Sequence, residues 1–475
     1  MLSSLSPIDG RYNKFTKPLS QFFSEQALMR YRIIVEGEYL IALSQVKGIK
    51  MRRLSPREIG IIRKLYNLSL HDAQIISDIE TKGYKQIKAT DHDVKAVEYY
   101  LKDKLSNTSL KNVLEWIHFG LTSYDINTPA RGMMLKDALN QIIIPKIVAI
   151  FQNIDALAKK YKNLPMLART HGQPASPTTF GKEFKVFAER LKKHSQILKN
   201  LRISVKLNGA TGNYNAHMAA FPKIDWIKFS QKFIGQLNIL VFERSREAKL
   251  FSTSSNNIKL VTNLFTTQID PHDSEAEIFD CLRRINTILI GFNQDIWRYI
   301  SDEWIVQKTV AGSVGSSTMP HKINPIKFEN SEGNLGLANA FFEFFARKLP
   351  VSRLQRDLSD STVERNFGTA LAHCLIAYDY LLKGLSRIKV DEKKVRDDLS
   401  AHPEVLAEAI QTILRREGVK MPYEQLKAIT QGQEVSLADL HQFISALEIS
   451  EKVKKELKRI TPLNYTGLAS KLAQT

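Results

Sequence analysis

The sequence predicts an all-α protein of three domains around a long central helical bundle, and two observations carry that prediction. Apolar residues recur at Ile278, Leu282, Ile285, Leu289, Phe292, Ile296 and Tyr299, alternating steps of four and three, which lays one stripe along a straight helix of about six turns. Few runs show strict apolar-polar alternation, so sheet should be minor.

Taken in order, residues 1–115 give shorter helices broken by turn signals such as "LSPRE", an N-terminal helical domain. Residues 116–369 form the bundle. A stripe through Leu139, Ile143, Ile147, Ile150, Ile154, Leu157 and Tyr161 marks a long helix, which Pro145 should bend near its start. Another stripe runs through Phe180, Phe184, Phe187, Leu191, Leu198 and Leu201. Ser274 and Glu277 form a capping-box pattern ahead of the helix that carries Ile278. Three such seams suit bundling. Between them, the polar stretch 245–263, "SREAKLFSTSSNNIKLVTN", reads as a surface excursion. Residues 370–475 give short capped helices, one ending at Gly418 and one starting at a Ser cap before "LADLHQFISAL".

Composition narrows the function classes. With 475 residues, 43% hydrophobic and 25% charged, the chain lies in the range of soluble globular proteins. Its two cysteines, Cys281 and Cys374, sit in apolar helical contexts, which offers no disulfide framework or zinc site and fits a reducing cytoplasm. No leader pattern opens the sequence, and the most apolar run, "IIIPKIVAIF", is broken by Pro145 and Lys146, so no export or membrane anchoring is expected. The net charge of +19 invites a nucleic-acid reading. However, the basic residues are interleaved with acidic ones on helical faces, and no nucleic-acid-binding signature accompanies them. A positive field of this kind would instead draw in a small polyanionic substrate.

Chemistry is expected in the polar loops that interrupt the helices. "ATDHDVKAVEYYL" carries His92 and Asp93, "FGLTSYDIN" carries Thr122, Ser123 and Asp125, and "RTHGQPASPTT" carries His171 and Gln173. The stretch "GSVGSSTMPHKINP", Gly312 to Pro325, holds Ser316, Ser317, Lys322 and Asn324. Its glycines let backbone amides turn inward, and with the hydroxyls, amide and ammonium they make a donor set suited to a carboxylate or phosphate. If charge develops on a carboxylate there, each preorganised donor contributes about 10²- to 10³-fold. A histidine from another loop would supply the opposite half of acid-base catalysis. "AGSVG" lacks the first glycine of a nucleophile elbow, and no phosphate-loop, dinucleotide or H-E-x-x-H motif occurs. No cofactor or metal is expected. The competing reading is a basic helical scaffold that binds RNA or protein, but a scaffold gives no reason to keep opposed acid and base groups.

"GSSTMPHKINP" resembles the signature loop of the fumarase/aspartase superfamily, long-helix bundles that eliminate fumarate from succinyl-type substrates. Within it, "SPIDGRY", "HDVKAVEYYL", "THGQPASPTT", "NGATGNYNAH", "TTQIDPHD" and "LPVSRLQRDLSDSTVERN" are similar to the adenylosuccinate lyase family of the longer bacterial type. This resemblance implies elimination of fumarate from adenylosuccinate and from the succinyl-carboxamide ribotide SAICAR, without cofactor, in a homotetramer whose sites each draw on three chains. It implies Ser316 as general base and His171 as general acid, with Lys322 and Asn324 holding the carboxylate on which charge accumulates. Arg11, Tyr12, Arg356, Ser361 and Arg365 would bind phosphate and ribose, where a bidentate arginine suits phosphate. His92, Asp93, Thr122, Ser123, Gln268, Ser317 and Asn330 would line the base and succinyl pockets. Two departures from the family pattern are expected to matter locally: Asp91 beside His92, and the length of the excursion 245–263.

Overall fold

The computed structural model describes residues 2–240, 257–308, 319, 321–432 and 435–475. These are mostly helical, and the sheet is confined to three two-stranded pairs: β1 (Pro165–Thr170) with β2 (Gln173–Thr179), β3 (Arg202–Val205) with β4 (Lys259–Thr262), and β5 (Ile305–Gln307) with β6 (Ile388–Val390). The chain divides into two compact units. The first holds Met1–Ile147, His194–Thr287 and Gly333–Asp379, and the second Val148–Lys193, Ile288–Glu332 and Tyr380–Thr475.

The predicted stripes become buried seams. In the helix Asp273–Ser301, Ile278, Leu282, Ile285, Leu289, Phe292 and Ile296 are all buried. The core of the first unit centres on Phe279, whose ring lies 5.4 Å from Phe342, 5.2 Å from Phe345 and 4.8 Å from Phe367. In the second unit Phe180 meets Tyr299 at 5.2 Å, and Tyr299 stacks on Trp304 at 5.7 Å. A further cluster in that unit, Leu406, Ile410, Leu414, Leu426, Leu440, Ile444, Val453 and Leu457, is what the short capped helices near the C-terminus bury. Gly418 ends the helix Ala407–Arg416 with φ +76°, the left-handed conformation that releases the last carbonyls to Gly418 and Val419. Ser436 caps the helix Leu437–Ala446.

Three expectations need correction. The helix expected from Leu139 starts at Ser123 and runs to Lys160, passing through a π-helical turn at Leu139–Ile143 just ahead of Pro145. Pro145 cannot donate a backbone hydrogen bond, and the wider turn accommodates that loss. Counted whole, this helix has the length and apolarity of a membrane span, which "IIIPKIVAIF" alone does not reveal, although Leu139, Ile143, Ile147, Ile150 and Ile154 are buried inside the protein. The capping box at Ser274 and Glu277 is replaced by a start at Asp273, and Ser274 instead accepts from Ser204 N and donates to Glu275. Finally, most of the excursion 245–263 lies outside the described residues, but its end is strand β4, parallel to β3. The Asn238 side chain clips that strand, donating to Leu260 O at 2.9 Å and accepting from Leu260 N at 2.8 Å.

Candidate active site

In the first unit, the loop before the helix Ser123–Ala138 turns on His118 and Gly120, both with positive φ. His118 Nδ1 lies 2.6 Å from the fully buried Glu36 carboxylate. Burial alone would lower the His118 pKa, but Glu36 raises it. Gly120 is required where it stands, because a Cβ there would fall 2.9 Å from the ring of His217. His217 is itself buried, held by Tyr39 at 2.9 Å, and pushed down to about 4 by burial. This platform presents Thr122 and Ser123. Ser123 Oγ lies 3.3 Å from His92 Nε2, so two of the predicted loops meet.

Asp125 joins a third loop to them. Its carboxylate accepts from Thr122 N at 2.9 Å, Asn208 N at 2.9 Å and Gly209 N at 3.1 Å, and from the ammonium of Lys206 at 2.7 Å. Lys206 and Asp125 are completely buried. From sequence alone Asp125 is only a loop residue and Lys206 carries no role. The available signal was one charge standing inside an apolar helical or strand pattern, as in "SYDIN" and "ISVKLNG".

Next to this platform lies a charged chain. Arg32 contacts Asp93 at 2.6 Å and Asn127 at 2.8 Å, and Asp93 contacts Arg365 at 3.3 Å, whose other nitrogen reaches Glu25 at 2.7 Å. Burial would raise the Asp93 carboxyl, yet Arg32 and Arg365 hold it below the usual carboxylate range. Arg365 also lines a cavity of about 220 Å³ with Asp9 and Asn13; Arg11 and Tyr12 belong to the same turn. Ser361 accepts from Arg131 at 3.4 Å, and Arg131 is paired with Glu364. The Arg356 guanidinium carbon lies over the Tyr124 ring, 3.8 Å from its centroid, while Tyr124 donates to Asp360 at 2.5 Å. His272 stands 3.7 Å from Asp360 and 3.9 Å from Glu275, ion contacts rather than hydrogen bonds. Burial opposes its charge, but these carboxylates keep it raised to about 9. Gln268 accompanies the group, donating its backbone N–H to Gln355 O at 3.2 Å. Arg131, Tyr124, Asp360 and His272 were not singled out from sequence.

In the second unit, β1 and β2 form a hairpin in which Thr170 pairs with Gln173, leaving a two-residue turn of His171 and Gly172. Their φ values of +51° and +77° are the pattern that matches strand twist in the tightest hairpins. The predicted acid therefore projects from a hairpin tip, exposed to solvent. Lys322, exposed, and Asn324, half-buried, precede the 23-residue helix Ile326–Lys348, whose N-terminus favours anions. Gln307 donates to Ile323 O at 2.9 Å and anchors this approach, and Asn330 lies on the helix's first turns. Ser316 and Ser317 lie outside the described residues. Among the described residues no group of His, Cys, Asp and Glu is arranged to hold a metal ion.

Comparisons with known proteins identify the family. Residues 10–340 match the family model described as lyase, and residues 352–466 the one described as adenylosuccinate lyase C-terminal. The adenylosuccinate lyase of Haemophilus influenzae is 44% identical, covering 100% of this chain and 98% of its own length. That of Legionella pneumophila (strain Corby) is 46% identical with the same coverage, and that of Escherichia coli (strain K12) is 45% identical over 98% of this chain and 97% of its own. Among solved structures, a fumarate lyase from Mesorhizobium sp. BNC1 superposes with a TM-score of 0.71 at 17% identity, covering 96% of both chains. A 3-carboxy-cis,cis-muconate lactonizing enzyme from Pseudomonas putida does so with 0.70 at 18%, covering 96% of this chain and 95% of its own, a likeness of fold. With relatives this similar across its whole length, the chain belongs to the adenylosuccinate lyase family of the fumarase/aspartase superfamily.

Proposed function

We propose that the protein eliminates fumarate from adenylosuccinate, giving AMP, and from SAICAR, giving AICAR. Full-length identity of about 45% to adenylosuccinate lyases carries this reading. In the proposed step, Ser316 takes the proton from the carbon next to a succinyl carboxylate, and Lys322 and Asn324 hold that carboxylate as negative charge spreads onto it. The carbon–nitrogen bond then breaks, its electrons leave on the amine, the new double bond makes fumarate, and His171 protonates the departing nitrogen. Arg11, Tyr12, Arg356, Ser361 and Arg365 bind the phosphate and ribose. His92, Asp93, Thr122, Ser123, Gln268, Ser317 and Asn330 line the rest of the substrate pocket.

His171, Lys322 and Asn324 fall in one unit and the phosphate-binding arginines in the other. We place the complete site in a homotetramer, each site drawing on three chains, in the cytoplasm. The division into 1–115, 116–369 and 370–475 belongs to the same proposal. The test is an ultraviolet assay of purified protein with adenylosuccinate and with SAICAR. Both should release fumarate, and Ser316→Ala should lose orders of magnitude in turnover while its circular dichroism stays unchanged. Wild-type turnover in that variant removes the base assignment, and full activity of a monomer in light scattering removes the composite site.

A further inference from the structure

The hairpin that carries His171 is gripped along both strands. Helix Glu392–Ser400 packs on β1, and the 3-10 turn Pro403–Leu406 and the short helix Ala469–Leu472 pack on β2. Ser470 hydrogen-bonds to Asn163, just before β1. The strand register shifts between Met166↔Thr178 and Ala168↔Ala175. Two residues, Ser176 and Pro177, therefore oppose the single Leu167. This is a β-bulge, a feature that bends a strand and re-aims a side chain. The side chain re-aimed is Ser176, whose hydroxyl donates to Glu408 Oε2, and Tyr465 donates to the same oxygen at 3.1 Å. Glu408 thus ties the bend of the hairpin to the C-terminal segment.

We infer that Glu408, acting through Ser176, is a positioning residue for the acid His171. The inference rests on the acid role proposed above. Four residues separate Ser176 from the tip, a lever of about 13 Å at 3.3 Å per residue, so a rotation of about 5° at the bulge moves the imidazole by about 1 Å. A misplacement of that size costs up to about 10²-fold in rate. Substrate binding does not pass through this contact, so the effect should fall on kcat.

Glu408→Ala and Ser176→Ala should each lower kcat about tenfold and leave KM within about twofold. The double variant should be no slower than the slower single one, because both remove one contact. Both side chains are exposed, so unfolding midpoints should hold, and faster amide hydrogen exchange should be confined to residues 165–179. Unchanged kcat in both single variants, losses that multiply, or exchange that rises throughout the unit would overturn the inference. His171→Ala is assayed alongside. Wild-type turnover there removes the acid reading and this inference with it, whereas loss there with full turnover in Glu408→Ala removes this inference alone.

Discussion

The ammonium of Lys206 lies 2.7 Å from Asp125 Oδ1, and neither side chain reaches solvent. Desolvating two charges is expensive, and it is offset here because the same carboxylate also takes the amides of Thr122, Asn208 and Gly209 while Lys206 donates to Gly209 O at 2.5 Å. The pair fastens the Thr122–Ser123 loop to the 208–212 loop.

Lys206→Met should therefore cost about 3–5 kcal/mol, since it strands a buried carboxylate, and Asp125→Asn a similar amount. The double variant should lose less than the sum of the two. Denaturant unfolding of the set measures this, and strict additivity would mean that the pair is not coupled.

Arg365 is shared between Glu25 and Asp93, so a phosphate bound by Arg365 as proposed would compete with them for it. Arg365→Ala should raise KM about tenfold or more with a smaller change in kcat. Glu25→Gln should move KM the other way. Because Glu25 is mostly exposed, that gain should be no more than about fivefold, the worth of a surface ion pair. Steady-state kinetics on adenylosuccinate checks both signs.

The buried His272 has its pKa raised from its ordinary range to about 9. The folded state thus holds a proton that the unfolded chain releases near pH 6.5. The stability it contributes is fully present below about pH 6.5 and is lost as pH rises through about 9, on the order of 3 kcal/mol in all. Unfolding free energies measured from pH 6 to 9.5 should fall over that window in the wild type and fall less in His272→Gln.

Gly172 has φ +77°, and a Cβ added there meets no atom within 4 Å. Gly172→Ala should then cost only the backbone strain, about 1 kcal/mol, while disturbing the turn that presents His171. A drop in kcat beyond what the small stability loss explains is the expected result, read from kinetics beside thermal melts.

The fold was legible wherever a seam repeats over many turns, as in Ile278–Ile296, because one buried stripe leaves a period that no other structure shares. The hairpin at "THGQPASPTT" was not: a bulge and two prolines erase the alternation that marks strands, and only the His171–Gly172 turn remains as a signal. At the site, residues expected to touch substrate could be carried over from motifs. Asp125, Lys206, Asp360 and His272 could not, because their partners lie 81 residues away in one case and 88 in the other, and pairing across such distances has no local pattern.

The Asn238 clip on Leu260 fixes where the chain leaves and where it comes back, whatever lies between. Closing a loop costs only about 0.6 kcal/mol for each doubling of its length. A guest domain whose own ends lie close together, spliced between Ile239 and Ile258, would hang from this clip as from a hook, and β4 would still deliver Gln268 to its place downstream.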